Sequence, residues 1–338
     1  MIVSAIQAVV DGRSLPSEAA AKVMEAVLTG DVTPAQFGAF VTALRVKGET
    51  AEEVAGLAAS MRRHATRVDL GGLDAVDNCG TGGDGEGWFN ISTTSAFIAA
   101  GAGAKVAKHG NRSASSRCGG ADVLEALGAR LDVSPQVVAR CVHEAGVGFM
   151  FAQAYHPGMK YAGPLRREIG IRTVFNIIGP LTNPANVRRQ LLGVADPTLT
   201  PLMATSLQQM GTERALVVTG YGGADEITLD GPTQVTELQN GALKSYTINA
   251  EDFGLTTVDR TALLGGTPSD NAAITRGILD GSDRGARRLV AIANAAGTLV
   301  AAGKATSWRD GTERAVTAID NGSALTSLEH MIRVSNSG

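Results

Sequence analysis

Asp77-Asn-Cys-Gly-Thr-Gly-Gly-Asp-Gly85 closes one apolar run, Asn90-Ile-Ser-Thr93 opens an Ala-rich segment, and Lys108-His-Gly-Asn-Arg112 closes the next apolar run. Strand, glycine turn, helix, strand and polar turn in that order predict a mostly parallel sheet covered by helices. Ligands of such sheets bind beyond the carboxyl ends of the strands, where both polar turns fall. A floor built there offers backbone N–H groups, hydroxyls and a Lys/Arg pair. It suits a ligand bearing several phosphates.

The alternation continues outward. Strands are predicted over 75–79, 104–107, 146–151, 190–194 and 215–219, with helices over 93–101, 121–128, 135–145 and 200–210. After Ile227 come short Thr/Val-rich strands through Ile248, then helices over 269–281, 284–302, 310–321 and 325–334. The stretch 161–186, broken by Pro164, Gly170, Pro180 and Pro184, reads as irregular and as a crossing between lobes. The first 70 residues read as helices only. Pro16-Ser17 opens one helix and Thr29-Gly30 closes it; Thr33-Pro34 opens the next, which ends at Lys47-Gly48. Thr50 with Glu53 is a capping box for a third. The fold class expected is α/β: a small all-helical domain, 1–70 with a returning segment around 165–186, and a larger α/β domain, 71–338, with a central mostly parallel sheet flanked by helices.

Composition bounds the function. The chain has 338 residues with 44% hydrophobic content, enough for a sizeable core, and a net charge of −3. That charge supplies no general field for nucleic acid or an anionic membrane, so any anion site must be local. No apolar run approaches the ~20 residues that span a bilayer. Cys79, Cys118 and Cys141 have neither CxxC nor zinc spacing, and the N-terminus lacks a basic n-region. Reduced thiols in a cytoplasm are expected.

Each motif has a plain and a sharp reading. Gly80-Thr-Gly-Gly-Asp-Gly85 is either an ordinary loop or a bare backbone that grips phosphate; it is neither Walker A nor a GxGxxG opening a helix. Ser92 or Thr93 would be a helix N-cap, and the same helix start can bind phosphate. Lys108 and Arg112 could neutralise phosphate charge, with His109 and Asn111 facing a second ligand. Asp225-Glu226 is either a solvated pair or, beside phosphates, a Mg²⁺ site. In Tyr155-His-Pro-Gly-Met-Lys160 and Gly163-Pro-Leu-Arg-Arg-Glu168, one Arg turned to the cleft could pair with a substrate carboxylate.

Taken together, these residues closely resemble the anthranilate phosphoribosyltransferases of tryptophan biosynthesis. The match rests on Cys79-Gly-Thr-Gly-Gly-Asp-Gly85, Phe89-Asn-Ile-Ser-Thr93, Val106-Ala-Lys-His-Gly-Asn-Arg-Ser113, Ala121-Asp-Val-Leu-Glu-Ala-Leu-Gly128 and His156-Pro-Gly-Met-Lys160. It continues through Arg166-Arg-Glu-Ile-Gly-Ile-Arg-Thr173, Phe175-Asn-Ile-Ile-Gly-Pro-Leu-Thr-Asn-Pro184, Asp225-Glu-Ile227 and Asn294-Ala-Ala296, in order over nearly the whole chain. The resemblance implies transfer of a phosphoribosyl group from phosphoribosyl pyrophosphate to the amine of anthranilate, with Mg²⁺ as cofactor. It implies a homodimer joined through the helical domain, with no nucleic-acid or membrane partner. Carried over by position, it assigns the donor to Gly80, Thr81, Gly83, Asp84, Asn90, Ile91, Ser92, Thr93 and Lys108. Asn111, Arg112, Ser113, Ser115, Ser116 and Gly120 complete the donor set. Anthranilate falls to Gly80, His109, Asn111, His156 and Arg166, with His109 the one catalytic candidate. Mg²⁺ falls to Ser92, Asp225 and Glu226.

Three positions depart from the family pattern. Trp88 replaces a small hydroxyl residue, Gly120 replaces Ser or another small residue, and Gln153 stands where Pro is frequent. Two other readings follow from related chemistry. A pyrimidine nucleoside phosphorylase would continue its Lys-His turn with Ser-Thr-Gly-Gly, whereas this chain has Gly110-Asn-Arg112. A non-enzymatic nucleic-acid-binding relative would need basic grooves, against which the net charge argues.

Overall fold

Four helices come first in the computed structural model, which describes residues 1–113 and 117–337. They are α1 (Ile2–Val10), α2 (Ser17–Thr29), α3 (Pro34–Lys47) and α4 (Ala51–Arg63). Thr33 and Gln36 form a reciprocal capping box with Pro34 at the first helical position, and Thr50 and Glu53 form another. Gly30, left-handed at φ 84, ends α2 as the sequence predicts. Glu53 does more than cap. Its buried carboxylate accepts the Leu15 N–H at 2.9 Å, the Thr50 N–H at 2.9 Å and the Lys47 ammonium at 2.9 Å. One side chain thereby joins the entry to α2, the end of α3 and the start of α4.

A seven-stranded sheet follows, ordered β3-β2-β1-β4-β5-β6-β7. Strands β1 (Val76–Gly80), β2 (Val106–Gly110), β3 (Val147–Phe151), β4 (Arg189–Gly193) and β5 (Arg214–Thr219) run parallel. The hairpin β6 (Thr233–Gln239) and β7 (Ala242–Ile248) is antiparallel at one edge. The chain steps outward from β1 through α5 (Ile91–Gly101) to β2. It then passes α6 (Gly120–Ala126) and α7 (Pro135–Arg140) to β3, and α8 (Ala152–Tyr155) and α9 (Met159–Ile169) on the return to β4. Helix α10 (Leu199–Gln209) joins β4 to β5. The strand order therefore reverses between β1 and β4, where a crevice opens at their carboxyl ends.

Helices α5, α11 (Pro268–Leu279), α12 (Ala286–Ala301), α13 (Trp308–Asp320) and α14 (Ser323–Asn336) contribute to the larger apolar core on one face of the sheet. The other face packs on the N-terminal helices. Phe37, Phe40, Leu44 and Leu57 share one core with Ala162 and Val174, with Met203 of α10, and with Leu192 and Val217 of the sheet. Among the described residues, no helix is long and apolar enough to cross a membrane.

The structure corrects several local expectations. β2 extends to Gly110, so Lys108 and His109 lie inside the strand rather than after it. Pairing with β3 runs on to Gly110 opposite Phe151, and both polar side chains are buried with partners. The helix expected over 135–145 breaks into α7 and a π turn, Cys141–Ala145. Pro164 sits inside α9 rather than interrupting it. There Ala162, Leu165 and Ile169 recur at helical spacing and pack into the core, which offsets the ~3 kcal/mol penalty of an internal proline. The N-cap of α5 is Asn90, not Ser92 or Thr93.

Glu53→Ala should cost about 3–5 kcal/mol of unfolding free energy, because it strips the buried Lys47 ammonium and two backbone donors of their acceptor. Urea denaturation measures this directly, and Thr50→Ala should cost only about 1 kcal/mol.

Candidate active site

The acidic loop crosses the crevice where two strands end in glycine. A Cβ on Gly80, at the end of β1, would overlap the Asp225 carboxylate, and one on Gly193, at the end of β4, would overlap the Asp225 backbone. Only glycine admits this approach. The Gly82 N–H then donates to Asp225 Oδ2 at 2.6 Å, while the Thr81 N–H donates to the Gly193 carbonyl at 2.9 Å. Gly82 and Gly83 hold φ of 68 and 81, so the turn after β1 curls back on itself. Asp84 accepts the Glu86 N–H at 3.2 Å.

Glu226 faces the start of α5, accepting the Ser92 N–H at 3.1 Å. Asn90 caps α5 without a side-chain bond to it. Its side chain instead donates to the Cys118 carbonyl at 3.1 Å and accepts from Asn271 at 2.9 Å. Ile91 and Thr93 are buried against the core side of the helix. Asp225 and Glu226 keep partial solvent access but sit deep in the cleft. Burial raises the Asp225 pKa, and the Asp84 charge raises it further. Burial and then Asp225 raise that of Glu226. Lys108 opposes this only partly, since its ammonium is held by the Asn78 carbonyl. Three mutually repelling carboxylates are the arrangement a hard cation relieves. Among the described residues no three His, Cys, Asp or Glu side chains form a ready-made cage, so such a cation would take its remaining ligands from elsewhere.

Strand alternation sends the neighbouring residues to the opposite face. Asn78 donates to the Ser92 carbonyl at 2.8 Å on the α5 face, whereas Asp77 lies on the helical-bundle face. Buried Asp77 accepts the His109 N–H at 3.1 Å and the Asn183 amide at 2.8 Å. Burial lifts its pKa while Lys108 lowers it. His109 Nε2 meets His156 Nε2 at 3.2 Å, so one imidazole donates and the other accepts. Burial, reinforced by His156, pushes His109 down to about 3, and burial pushes His156 down to about 4. The pair is uncharged at neutral pH. Beyond it, Arg166 lies half-buried over the Phe175 ring at 5.3 Å, with no carboxylate partner among the described residues. Of the two adjacent arginines, Arg167 is the more exposed.

The described residues on either side of 114–116 bond mainly to one another and to α6. Asn111 accepts the Arg112 N–H at 2.8 Å. Arg112 pairs with Asp122 at 2.8 Å and Glu125 at 2.6 Å, so its guanidinium is turned to α6 rather than to the crevice. Asp122 also accepts the Ser113 N–H at 3.2 Å and the Gly119 N–H at 2.8 Å. A Cβ on Gly120 would stand 3.2 Å from the Thr93 hydroxyl, close but not overlapping. Ser115 and Ser116 lie outside the described residues.

Residues to which the sequence reading gave no role also matter. Arg172 donates to the Gly82 carbonyl at 3.3 Å and lies over Gly83. Asn183 bridges Asp77 and the Ala107 carbonyl, at 2.8 Å to each. Both fall in the stretch read as irregular, where no spacing separates a ligand-facing residue from a loop residue. Arg260 reaches both Glu86, just after the glycine turn, and Asp230, just after the acidic doublet, from far along the chain, and local pattern carries no trace of that.

This geometry has close relatives. Residues 72–325 match the a/b domain of a glycosyl transferase family and residues 3–65 its helical bundle domain. The anthranilate phosphoribosyltransferase of Roseiflexus sp. is 54% identical over 98% of this chain and 97% of its own. The crystal structure of the Thermus thermophilus anthranilate phosphoribosyltransferase superposes with a TM-score of 0.93 at 40% identity, covering 98% of this chain and 99% of that one. The Saccharomyces cerevisiae enzyme in complex with PRPP and Mg does so with a TM-score of 0.89 at 29% identity, covering 100% and 98%. Two-sided cleft, fold and near full-length identity agree: the chain belongs to the anthranilate phosphoribosyltransferase family.

Proposed function

We propose that this chain transfers the phosphoribosyl group of phosphoribosyl pyrophosphate to the amine of anthranilate, with its two substrates on opposite sides of the β1–β2 strand ends. The division of the site carries the reading. Acids, a glycine turn and a helix start lie on one side. Uncharged imidazoles and an Arg without a carboxylate partner among the described residues lie on the other. The yeast relatives bound to PRPP and Mg, and to 4-fluoroanthranilate, support the two classes of ligand.

On this reading Gly80, Thr81, Gly83 and Asp84 line the diphosphate end of the donor. Asn90, Ile91, Ser92 and Thr93 present the α5 start to phosphate, where unpaired amides and the helix dipole favour negative charge. Lys108 stays below the floor as a buried positive charge. Asn111, Arg112, Ser113 and Gly120 are assigned to the donor as well, and the family pattern adds Ser115 and Ser116, which lie outside the described residues. Releasing Arg112 to the donor means breaking a bidentate pair with Glu125 and a bond to Asp122, a network worth more than a lone surface ion pair. Asp225, Glu226 and Ser92 would hold Mg²⁺, which supplies charge neutralisation to the diphosphate leaving group.

Chemistry then needs positioning more than proton transfer. The anomeric C–O bond breaks with its electron pair leaving on the diphosphate as positive charge grows on the ribose ring; the aromatic amine's lone pair closes the new C–N bond, and the surplus amine proton passes to the departing diphosphate or to water. Arg166 orients anthranilate through its carboxylate. His109, with a pKa near 3, is a weak base at neutral pH, so we assign it and His156 to lining the acceptor path. Asn111 and Gly80 sit between the two sides. We also assign residues 1–70 and 165–186 to one helical lobe and the remainder to the donor lobe. A homodimer contact falls on that lobe, where Val3 is 64% and Val46 82% exposed. Cys79, Cys118 and Cys141, none of them in a disulfide among the described residues, fit a reducing cytoplasm.

Anthranilate consumption followed by fluorescence, with and without phosphoribosyl pyrophosphate and Mg²⁺, tests the function; turnover should require both. Arg166→Ala should raise the anthranilate KM about 10- to 100-fold, the worth of a charge-assisted hydrogen bond, with little change in the donor KM.

Asp225→Asn with Glu226→Gln should raise the melting temperature of the metal-free protein at pH 8, because buried repulsion is relieved. The same variant should lose Mg²⁺-dependent turnover.

For the imidazoles, the folded pKa values lie below the unfolded ~6.5. Their neutral pair contributes fully above that pH, and the contribution is lost as pH falls toward 4. Between pH 7 and 5, the stability of wild type relative to His109→Gln/His156→Gln should fall by roughly 2–4 kcal/mol in urea melts.

A further inference from the structure

We propose that Arg260 is a positioning residue that sets the spacing between the glycine turn and the acidic doublet, an inference that rests on the donor and metal assignments above. Its guanidinium touches both segments and none of the residues assigned to a substrate or to Mg²⁺. On the glycine-turn side it donates to Glu86 Oε1 at 2.7 Å and stacks on the Trp88 ring, 5.5 Å from the centroid. On the acidic side its Nε lies 3.4 Å from Asp230 Oδ2, just after the doublet. Its NH1 packs on Gly222, just before the doublet, where a Cβ would stand 2.8 Å away.

Two further observations show that this arrangement is held in place. The Asp230 side chain is only 8% exposed and accepts no hydrogen bond among the described residues, so Arg260 is the charge that compensates it. The backbone around Arg260 is also stitched to the turn: the Phe89 N–H donates to the Leu263 carbonyl at 3.0 Å and the Gly265 N–H to the Gly87 carbonyl at 3.0 Å. Trp88 gives the planar fork a face to lie on that a small hydroxyl residue could not. A lysine has charge but neither the plane nor the fork. Asp225 must stay within reach of the Gly82 amide, and Glu226 of the α5 start, for the cleft to accept a diphosphate. Arg260 clamps the two segments at that separation.

The test uses the full-length protein with phosphoribosyl pyrophosphate, anthranilate and Mg²⁺. Three variants are compared with wild type: Arg260→Lys, Arg260→Met, and Arg260→Met with Asp230→Asn, which removes the stranded carboxylate and restores folding. In the double variant the donor KM and the half-saturating Mg²⁺ concentration should rise together, about 10- to 100-fold, while the anthranilate KM stays within about twofold. Arg260→Lys should recover only part of the loss. A donor KM and Mg²⁺ requirement unchanged in the double variant would overturn the inference, as would an equal rise in the anthranilate KM. Wild-type protein without donor-dependent turnover would remove the underlying reading as well, whereas an active wild type with indifferent variants refutes the Arg260 role alone.

Discussion

Strand geometry decides this molecule's chemistry. Successive side chains in β1 and β2 point to opposite faces, so Asn78 and Lys108 serve α5 while Asp77 and His109 serve the helical bundle. A slip of one residue in β2 would exchange the ammonium and the imidazole and put each in the wrong half of the cleft. Register is therefore a functional quantity here as well as a structural one. It is fixed by pairing with β3 along the whole of β2, Val106 opposite Val147 through Gly110 opposite Phe151.

The half proposed for the donor holds its acids at an electrostatic cost. Gly80 and Gly193 let the doublet loop come down onto the strand ends, and Asp84 adds a third carboxylate nearby. Among the described residues, Lys108 offsets that repulsion only in part. The half proposed for the acceptor is the reverse: burial and mutual contact keep two imidazoles neutral, and Asp77 beneath them is satisfied by the Asn183 amide and the His109 N–H. One half gathers like charge that a cation would relieve, and the other is already satisfied. Such frustration concentrated at one place is what a binding site requires of an otherwise consistent fold.

Much of this was legible in the sequence. Thr33-Pro34, the Thr50–Glu53 box and Gly30 announced the helical segment because caps act through neighbours in sequence. Apolar runs announced the five parallel strands, and the family resemblance agreed with the relatives found. Local pattern failed where distant chain segments decide. Lys108 and His109 look like turn residues by polarity, but partners on β1 and beyond α8 let them be buried in a strand. Pro164 looks like a breaker, but burial of its helix outweighs it. Nothing near Glu53 in sequence reveals that its carboxylate also holds the Leu15 amide.

The apolar core of the N-terminal helices does not stop at the connector to the sheet. It runs through α10 and Ala162 onto Leu192 and Val217. The connector adds its own anchors, since Val68 and Leu70 are buried and the Val68 N–H donates to the Pro184 carbonyl at 3.2 Å. Gly71 and Gly72, left-handed with open space around them, are where the chain could be cut with least disturbance. Two separately made fragments would each carry a broad greasy face shaped for the other. Neither would be soluble for long alone, and together they would reassemble without a covalent link, as complementing halves of a split enzyme.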